Sequence, residues 1–474
     1  MTVLSADQLT FSYDDQKPTV FKKLDFKIEN GTFGLLTGPS GCGKSTLFKL
    51  LAGLYPQYGG QLLTGKVTLD GQNIAEIVPF ARAGKVAMLF QNPSRQFAMR
   101  TVQEQLQFAL ENLQLSPIEI RQRISAALTE LKLEKFRSRQ LTTLSGGEQQ
   151  RIALATILAM DSEIILLDEP FANVDPHGRQ QLLADLKKLQ QTRHKTILIA
   201  DHDPSGYAGI ADRLYHLSVH AEQIERLPLK NLQLAATTNV AVNYQSLNEG
   251  SLAWQQLQLA IGPRKLLTGS NFTLPEGQLG LLSGANGTGK STLFAALCQQ
   301  HDYQGSITFQ QKSAQKFKLK RWADLVGIVF QNSSDQFISL KAASEINLSA
   351  KASHHPEYWT QTRIDQAITS LNLKNVLDQV CYQLSGGQQK KLQLLSMLVM
   401  APPVLLLDEP FAGLDAESLA AALALIKQAT KALQLSILII SHQRLGVVET
   451  MDYELQLSQQ QLTLLQKDGE QKDA

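Results

Sequence analysis

The chain contains 474 residues, of which 43% are hydrophobic and 19% are charged, a composition typical of folded globular domains rather than of disordered chains. At about 150–200 residues per domain, this length predicts two or three domains. The 45 basic and 43 acidic side chains leave a formal charge of +2, whereas proteins that bind nucleic acid through its phosphates usually carry a strong basic surplus. Cys42, Cys298 and Cys381 are far apart in sequence, so neither a disulfide framework nor a zinc site is expected.

The sequence predicts no signal peptide and no membrane-spanning helix. Its first residues lack the basic and apolar regions of a signal peptide. The longest apolar run extends from Leu394 to Leu407, is interrupted by Ser396 and Pro402, and is shorter than the ~20 residues that a spanning helix needs. If the protein acts at a membrane, another chain has to provide the crossing.

The second half of the chain repeats the first. The glycine-rich segment at 38–46 returns at 284–292, and four later motifs return 240 residues downstream. These motifs are Phe-Gln-Asn at 90–92 and 330–332, Leu-Ser-Gly-Gly at 144–147 and 384–387, Leu-Asp-Glu-Pro-Phe-Ala at 167–172 and 407–412, and a histidine at 202 and 442. The repeat predicts a duplicated domain of about 230 residues rather than a solenoid of short units. The expected organisation is a first domain over 1–228, a linker over 229–250, a second domain over 251–466 and a charged tail over 467–474.

Local patterns predict the same elements in both halves. In chain order they indicate a strand at Phe33 and Leu35, a helix from Lys44, helical structure between Gln91 and Ser145, and buried parallel strands at 164–167, 196–200, 404–407 and 436–440. Ser116 and Glu119 form a predicted capping box with Pro117 at the first helical position. Apolar residues then line one helical face at Ile124, Leu128 and Leu131, and again at Ile364, Ile368 and Leu371. Each half is therefore predicted to be a parallel α/β core with a helical insertion.

The pattern G-x-x-x-x-G-K-[ST] occurs at 38–45 and again at 284–291. Glycines suit such a loop because backbone N–H groups must curl around phosphate oxygens, and the following helix adds a partial positive charge. The lysines are expected to reach the β- and γ-phosphates, and the serine hydroxyls to face Mg²⁺. The candidate ATP-binding residues of the two loops are Gly38, Pro39, Ser40, Gly41, Cys42, Gly43, Lys44, Ser45 and Thr46, and Gly284, Ala285, Asn286, Gly287, Thr288, Gly289, Lys290, Ser291 and Thr292. Cys42 is interpreted as a small residue in a permissive position rather than a redox sensor.

Each half also has an Asp-Glu pair directly after four apolar residues. A strand that ends in this way places Asp168 or Asp408 near the Mg²⁺ shell and Glu169 or Glu409 near an attacking water. An acidic strand end facing solvent is the alternative for a single instance. The phosphate loop upstream in both halves favours the catalytic interpretation.

Together these motifs resemble two nucleotide-binding domains of the ATP-binding cassette family fused in tandem. Leu-Ser-Gly-Gly-Glu-Gln and Leu-Ser-Gly-Gly-Gln-Gln match the signature of that family, and the resemblance covers residues 3–227 and 251–465. It implies P-loop NTPase domains of the ABC-ATPase type, each with a parallel-sheet core and a helical insertion subdomain. It also implies that the two halves form an intramolecular head-to-tail dimer, with two ATP molecules between them and each phosphate loop facing the signature of the other half.

The resemblance assigns roles to the remaining motif residues. Glu169 and Glu409 would polarise water, and His202 and His442 would contact the γ-phosphate. Gln91 and Gln331 would sense Mg²⁺ and the partner, and Asp175 and Asp415 match the loop that crosses to the opposite site. The signature residues that would contact nucleotide are Ser145, Gly146, Gly147, Ser385, Gly386 and Gly387. The expected Mg²⁺ ligands are Ser45, Gln91, Asp168, Ser291, Gln331 and Asp408.

The halves differ at the expected adenine end. Tyr13 occupies the position at which the family stacks an aromatic ring on adenine, whereas the second half has Ile261 there, with Trp254 close in sequence. We expect two hydrolysis-competent sites, with weaker nucleotide affinity at the second.

The loop Gln91-Asn-Pro-Ser-Arg-Gln-Phe97 with Thr101-Val-Gln-Glu104 resembles the ATPases of energy-coupling-factor and cobalt-type importers. In that family membrane subunits dock beside this loop, so Phe97 and Phe337 are candidates to line the docking grooves; the alternative is that they pack under the helical insertion. The expected function is an ATP-hydrolysing subunit, peripheral to the cytoplasmic face of the cell membrane, that powers uptake of a vitamin, a vitamin precursor or a metal ion. Its expected partners are a transmembrane coupling protein and a substrate-binding membrane protein, with no nucleic acid. A soluble tandem ATPase acting on ribosomes or nucleic acid, and an exporter subunit with separate membrane chains, are the alternatives.

Overall fold

Ile164–Asp168 and Thr196–Ala200 form adjacent parallel strands in the computed structural model of the chain, as their apolar sequences predict. The structure describes residues 3–14, 19–39, 41–90, 96–144, 146–171, 174, 176–218, 223–232, 246–444, 446–465 and 471–473. The chain divides into two units, residues 1–238 (unit 1) and 239–474 (unit 2), each with its own core.

The elements of unit 1 follow one another in an α/β order. Its strands are β1 (Leu4–Ser12), β2 (Phe21–Lys27), β3 (Phe33–Thr37), β4 (Gln61–Leu69), β5 (Gln72–Asn73), β6 (Val86–Leu89), β7 (Ile164–Asp168), β8 (Thr196–Ala200), β9 (Arg213–His216) and β10 (Glu225–Leu227). Its α-helices are α1 (Lys44–Leu51), α2 (Pro79–Lys85), α3 (Val102–Glu111), α4 (Pro117–Glu130), α5 (Gly146–Met160) and α6 (Pro176–Arg193). Short 3-10 helices lie at Ile74–Glu76, Glu134–Phe136 and Leu141–Thr143.

Unit 2 repeats this order. Its strands are β11 (Leu252–Ile261), β12 (Arg264–Leu274), β13 (Leu279–Ser283), β14 (Gln304–Phe309), β15 (Lys312–Ser313), β16 (Val326–Val329), β17 (Val404–Asp408), β18 (Ser436–Ile440), β19 (Tyr453–Ser458), β20 (Gln461–Leu465) and β21 (Gln471–Asp473). Its α-helices are α7 (Lys290–Leu297), α8 (Leu319–Leu325), α9 (Ala342–Lys351), α10 (Gln361–Ser370), α11 (Gly386–Met400) and α12 (Ala416–Leu433). Its 3-10 helices lie at Ala314–Lys316, Ser333–Asp335, Lys374–Val376, Cys381–Gln383 and Val448–Thr450.

Each unit has a largely parallel central sheet. Over the described residues, the strand order is β10-β9-β3-β8-β7-β6 in unit 1 and β16-β17-β18-β13-β19-β20-β21 in unit 2. The β3, β6, β7, β8 and β9 ladders are parallel, and β10 is added antiparallel at one edge. β21 lies in the segment 467–474 that is expected to be a charged tail, and it pairs with β20 of the preceding domain. The predicted parallel α/β core is confirmed.

Each unit also has a second, antiparallel sheet that the apolar patterns did not indicate. It has the order β2-β1-β4-β5 in unit 1 and β12-β11-β14-β15 in unit 2 within the described parts of the chain. The register of β1 with β4 shifts after Asp7, and β11 has shifts against both neighbours. These irregularities break the strict alternation of apolar residues from which strands are predicted.

The central sheet is buried on both faces, which explains its continuous apolar runs. Leu35 packs with the helical insertion, together with Ile124 and Leu128. Leu36, the next residue of β3, points to the opposite face and packs with α1 and the antiparallel sheet. The helical faces predicted in the two insertions are confirmed, since all six of their residues are buried: Ile124, Leu128, Leu131, Ile364, Ile368 and Leu371.

Candidate functional site

The first glycine-rich loop connects β3 to α1, and α1 begins at Lys44 as predicted. Gly41 and Gly43 have φ values of 81° and 104°, in the left-handed region that glycine tolerates. A Cβ on Gly38 would lie 2.2 Å from the carbonyl oxygen of Leu217, so a side chain does not fit there. The loop therefore wraps closely against the end of the sheet, in front of the N-terminus of α1.

Lys44 is buried, and its Nζ donates hydrogen bonds to the carbonyl oxygens of Gly38 (2.7 Å) and Pro39 (3.1 Å). The second loop repeats this geometry. Lys290 Nζ donates to Gly284 O at 2.8 Å and to Ala285 O at 3.0 Å. In both units the ammonium group thus lies inside the loop, where it can meet a phosphate.

The side chain of Cys42 belongs to the apolar core beneath the first loop. It is 2% exposed and is buried with Leu36 and Leu47. This position agrees with its interpretation as a small filling residue. Ser40 lies outside the described residues.

Asp168 lies at the end of β7, and its carboxylate is hydrogen-bonded by the hydroxyl of Ser45. Burial raises the pKa of Asp168 to about 7, and the neighbouring charge of Glu169 adds to this shift. Asp408 has the same relation to Ser291, and burial raises its pKa as well.

These groups fit a divalent cation. The Oδ1 atom of Asp168 is buried and has no hydrogen-bond partner among the described residues, a costly arrangement that a cation would relieve. A carboxylate and a hydroxyl are also the oxygen ligands that Mg²⁺ prefers. Nowhere in the described part of the chain do three or more His, Cys, Asp and Glu side chains come together as a metal-binding group.

Glu169 and Glu409 follow β7 and β17 and have left-handed backbone conformations, with φ values of 47° and 50°. Such a conformation is uncommon for residues other than glycine, and it turns the side chain out of the strand direction. The backbone is held there because Glu169 N donates to Ala200 O at 2.8 Å and Glu409 N donates to Ile440 O at 3.0 Å.

A histidine contacts the glutamate in each unit. His202 Nδ1 lies 3.7 Å from Glu169 Oε1, and His442 Nε2 lies 3.5 Å from Glu409 Oε1. Burial raises the pKa of Glu409 to about 8, with a further contribution from Asp408. Burial alone would lower the pKa of His202, but the contact with Glu169 and the nearby carboxylates outweigh it, and the pKa is raised. In each unit the histidine ring thus lies close to the carboxylate of the glutamate that is expected to act as the base.

Unit 1 supports its histidine with a partly buried ionic network that sequence reasoning missed. Arg179 binds Asp201 at 3.1 Å and Asp203 at 2.7 Å, and Tyr207 donates to Asp201 at 2.8 Å. Unit 2 has Leu419, Ser441, Gln443 and Val447 at the equivalent positions. The signal in the sequence is the contrast between Asp-His-Asp at 201–203 and Ser-His-Gln at 441–443.

The signature of unit 2 opens helix α11. Ser385 is its N-cap: the hydroxyl accepts from Gln388 N at 3.3 Å, and Gln388 Oε1 accepts from Ser385 N at 3.0 Å. This capping box leaves Gly386 and Gly387 in the first turn, where backbone N–H groups point outward and can bind an anion. Helix α5 of unit 1 begins at Gly146, whereas Ser145 lies outside the described residues.

The other predicted loop residues are likewise described in unit 2 but not in unit 1. Gln331 follows β16, and its carbonyl oxygen accepts from Lys390 Nζ at 2.7 Å. Asp415 caps α12 by accepting from Ser418 N at 2.7 Å. Gln91 and Asp175, the equivalents in unit 1, lie outside the part of the chain that the structure describes.

The structure separates the two candidates for the adenine position of unit 2. Trp254 is buried in the core, and its Nε1 donates to the hydroxyl of Ser270 at 3.0 Å, so it is not available for stacking. Ile261 is exposed at the end of β11, and the guanidinium of Arg264 donates to Gly287 O of the second loop at 2.8 Å. In unit 1, Tyr13 is partly exposed and its hydroxyl lies 2.7 Å from the hydroxyl of Thr46.

The two phenylalanines expected to line docking grooves differ. Phe97 borders an open groove of unit 1. Phe337 is buried in the core of unit 2 and packs edge-on against Tyr382, so its role there is packing and its predicted place in a groove is wrong.

The chain is similar to known proteins along most of its length. A family profile described as "ABC transporter" matches residues 21–172 and again residues 267–412. A protein of Bacillus subtilis (strain 168), with the provisional name of an HMP/thiamine import ATP-binding protein, is 32% identical over an alignment that covers 93% of this chain and 87% of that protein. A protein of Methanosarcina mazei, with the provisional name of an ABC transporter ATP-binding protein, is 29% identical and covers 98% of this chain and 87% of its own length. Among solved structures, an RNase-L inhibitor has a TM-score of 0.64 at 17% identity over 98% of this chain and 90% of its own, a likeness of fold.

Proposed function

Because the chain belongs to the ABC transporter family and contains the P-loop ATPase domain of that family twice, we propose that it is the ATP-hydrolysing subunit of a multi-chain importer. The importer is of the energy-coupling-factor kind and takes up a vitamin, a vitamin precursor or a metal ion. The observation that carries this proposal is the similarity, over 93% of this chain, to a protein named for HMP/thiamine import. None of the helices in the described ranges is long and apolar enough to cross a bilayer. In this proposal, partner chains provide the transport path.

The residues of each unit divide the work of hydrolysis. Lys44 and Lys290 bind the β- and γ-phosphates, and the glycine-rich loops surround them with backbone N–H groups. Glu169 and Glu409 orient the attacking water and accept its proton, and the histidine beside each glutamate holds the γ-phosphate. When bound by Ser45 and Asp168, or by Ser291 and Asp408, Mg²⁺ would supply charge neutralisation at the phosphates. Gln91 and Gln331 would complete the sets of Mg²⁺ ligands.

We further propose that the two units pair head to tail. In this arrangement Lys44 shares one ATP with the signature at Ser385, and Lys290 shares the other with the signature at Ser145. The first turn of α11 then acts as a second anion site for the γ-phosphate. Bound ATP stabilises the paired units, and hydrolysis allows them to separate. A membrane subunit can use this movement of the units.

A groove on the surface of unit 1 is evidence for the proposed membrane partner. It has a volume of about 640 Å³ and lies between α2, β6, α3 and α5, with Tyr58, Phe80 and Phe108 exposed along it. Exposed aromatic residues around an apolar groove are typical of a surface that binds an amphipathic helix. We assign the groove to a short helix of the transmembrane coupling protein.

The charge in the groove specifies that helix further. Arg82 is buried in the lining, and its one side-chain hydrogen bond among the described residues is from Nη1 to Ile74 O, at 3.4 Å. A buried guanidinium without a carboxylate is unfavourable, so we expect the docking helix to present an Asp or Glu to it. Unit 2 has Trp322 at this position, with Nε1 bonded to Leu297 O at 2.9 Å, so its docking helix has no such requirement.

The proposal is tested by purifying the tagged chain from its native host in mild detergent and identifying the co-eluting proteins. A polytopic coupling protein and a substrate-binding membrane protein, recovered from the membrane fraction, support the importer. Arg82→Glu should reduce their recovery several-fold, whereas Arg121→Glu, at an exposed site on α4, should not. Recovery with ribosomes or nucleic acid, and without membrane chains, would overturn the importer and leave only the ATPase.

A further inference from the structure

A lysine ammonium group is buried where the loop that carries Gln331 meets helix α11. Lys390 is 6% exposed, and its Nζ donates to the main-chain oxygens of Phe330 at 3.1 Å and Gln331 at 2.7 Å. A third contact, at 3.4 Å, reaches the Oε1 atom of Gln393 on the same helix. All three N–H groups of the ammonium are therefore used.

The segment held by Lys390 is tied at several further points. Gln393 Nε2 donates to Phe330 O at 3.0 Å and to Gln336 Oε1 at 2.6 Å. Gln336 in turn accepts from Phe330 N at 3.1 Å and donates to Ile328 O at 3.0 Å. The end of β16 and the first turns of α11 are thus joined by one buried polar network, of which Lys390 supplies the charge.

Unit 1 lacks this charge. Gln96 makes the same contacts as Gln336, accepting from Phe90 N at 3.0 Å and donating to Met88 O at 2.9 Å. The positions equivalent to Lys390 and Gln393 are Gln150 and Ala153, so unit 1 has a neutral amide and a methyl group there. The Gln150 amide is buried and has no hydrogen-bond partner among the described residues.

From this network we propose that Lys390 is a positioning residue that makes the Gln331 loop and the signature helix α11 of unit 2 move as one body. Breaking these contacts is costly, because a buried ammonium would lose its acceptors and Gln331 O would lose the hydrogen bond from Lys390 Nζ. The inference rests on the proposed function, in which Gln331 serves the ATP held by Lys290 and Ser385 serves the ATP held by Lys44. A change at one ATP site is then transmitted to the other through Lys390. For the reverse direction, unit 1 has the neutral Gln150 at the equivalent position.

Hydrogen exchange of backbone amides can test this coupling in the full chain. The background variant is Lys44→Ala, so that nucleotide binds only to the loop of Lys290, and the probe is Mg²⁺ with a non-hydrolysable ATP analogue. With Lys390 present, the analogue should slow exchange about tenfold both at 330–337 and at 385–392. With Lys390→Met, it should still slow exchange at 330–337, but no longer at 385–392. Lys390→Arg keeps charge and donors and should restore the response.

Two further variants make the test specific. Lys391→Met removes the neighbouring buried ammonium, which contacts the hydroxyl of Ser418 at 3.4 Å rather than the Gln331 loop, and should leave the response intact. Lys390→Gln installs the residue of unit 1 and replaces Lys390→Met if that variant does not fold. Protection at 385–392 that persists without Lys390, or that is lost equally in Lys391→Met, would overturn the proposal. Absence of protection at the loop 284–290 would instead contradict nucleotide binding, and with it the proposed function.

Discussion

Glu169 and Glu409 lie beside a histidine at the end of a buried strand, in a backbone conformation that few residues adopt. We expect Glu169→Gln and Glu409→Gln each to lower the steady-state rate of ATP hydrolysis by about 100-fold or more, because an amide cannot accept the proton of the attacking water. Nucleotide binding should persist, since the phosphate loops are unchanged. Phosphate release and binding of a fluorescent ATP analogue measure the two effects. Full activity in either single variant would contradict the paired-site arrangement.

Tyr13 and Ile261 differ in what they offer to an adenine ring. Stacking of an aromatic ring on a base is worth about 1–3 kcal/mol, so Tyr13→Ala should weaken binding at the Lys44 loop about tenfold. Ile261→Tyr should strengthen binding at the Lys290 loop by a similar factor. Binding at the Lys44 loop is titrated in a Lys290→Ala background, and binding at the Lys290 loop is titrated in a Lys44→Ala background.

The control for this pair is Tyr13→Phe, which keeps the ring and loses only the contact with the hydroxyl of Thr46. It should bind nearly as well as the native chain. Equal affinities of Tyr13→Ala and Tyr13→Phe would show that the ring does not stack on the base.

Single residues also mark where sequence reasoning stopped. The phosphate loops, the Asp-Glu pairs and the histidines were predicted because each appears twice with fixed spacing, and their local geometry repeats in the structure. Lys390 and Arg179 were not, because their counterparts Gln150 and Leu419 differ from them. A charged residue on a helix is usually solvent-exposed, and only the fold shows that Lys390 is buried and that the side chain of Arg179 is 14% exposed.

Helix α3 begins with a complete capping box that its counterpart α9 lacks. The Thr101 hydroxyl accepts from Glu104 N at 3.3 Å, and Glu104 accepts from Thr101 N at 2.9 Å, whereas Lys341 makes no cap hydrogen bond. Thr101→Ala should therefore lower the free energy of unfolding of unit 1 by about 1 kcal/mol. Chemical denaturation measures the loss, and Lys341→Ala is the matched control that should show none. Equal losses in the two variants would rule out the cap as the cause.

Among the elements, continuous apolar strands and capped helices were predictable, while the antiparallel sheets were not. β11 has the sequence Leu-Ala-Trp-Gln-Gln-Leu-Gln-Leu-Ala-Ile, in which two adjacent exposed glutamines interrupt the alternation. Its register shifts at that point, which restores the apolar side to the core. The capping box predicted at Ser116 is half present: Ser116 caps α4, but Glu119 binds Arg123 at 2.8 Å. Arg123 competes with the backbone for the Glu119 carboxylate, and the capping-box motif does not include this residue.

At the scale of the whole chain, bound nucleotide should stabilise the fold. A ligand that binds only the folded state at 100 times its Kd adds about 2.7 kcal/mol to the free energy of unfolding. In the double variant Glu169→Gln and Glu409→Gln, which cannot turn ATP over, Mg²⁺ and ATP should raise the thermal midpoint. EDTA should remove most of this gain, because Asp168 and Asp408 then face the phosphates without a cation. The same rise with and without EDTA would contradict the assigned Mg²⁺ ligands.

Both ATPase units reside in one polypeptide, and this has a consequence for how they could diverge. In the proposed head-to-tail arrangement, two separate chains would have to be synthesised in balance, and each would risk pairing with its own copy. A fused chain fixes the ratio at one to one, so neither half needs to remain compatible with itself. Differences such as Tyr13 against Ile261, Arg82 against Trp322 and Gln150 against Lys390 can then accumulate on one side only. Covalent linkage thus permits the two copies of a duplicated ATPase domain to specialise within one polypeptide.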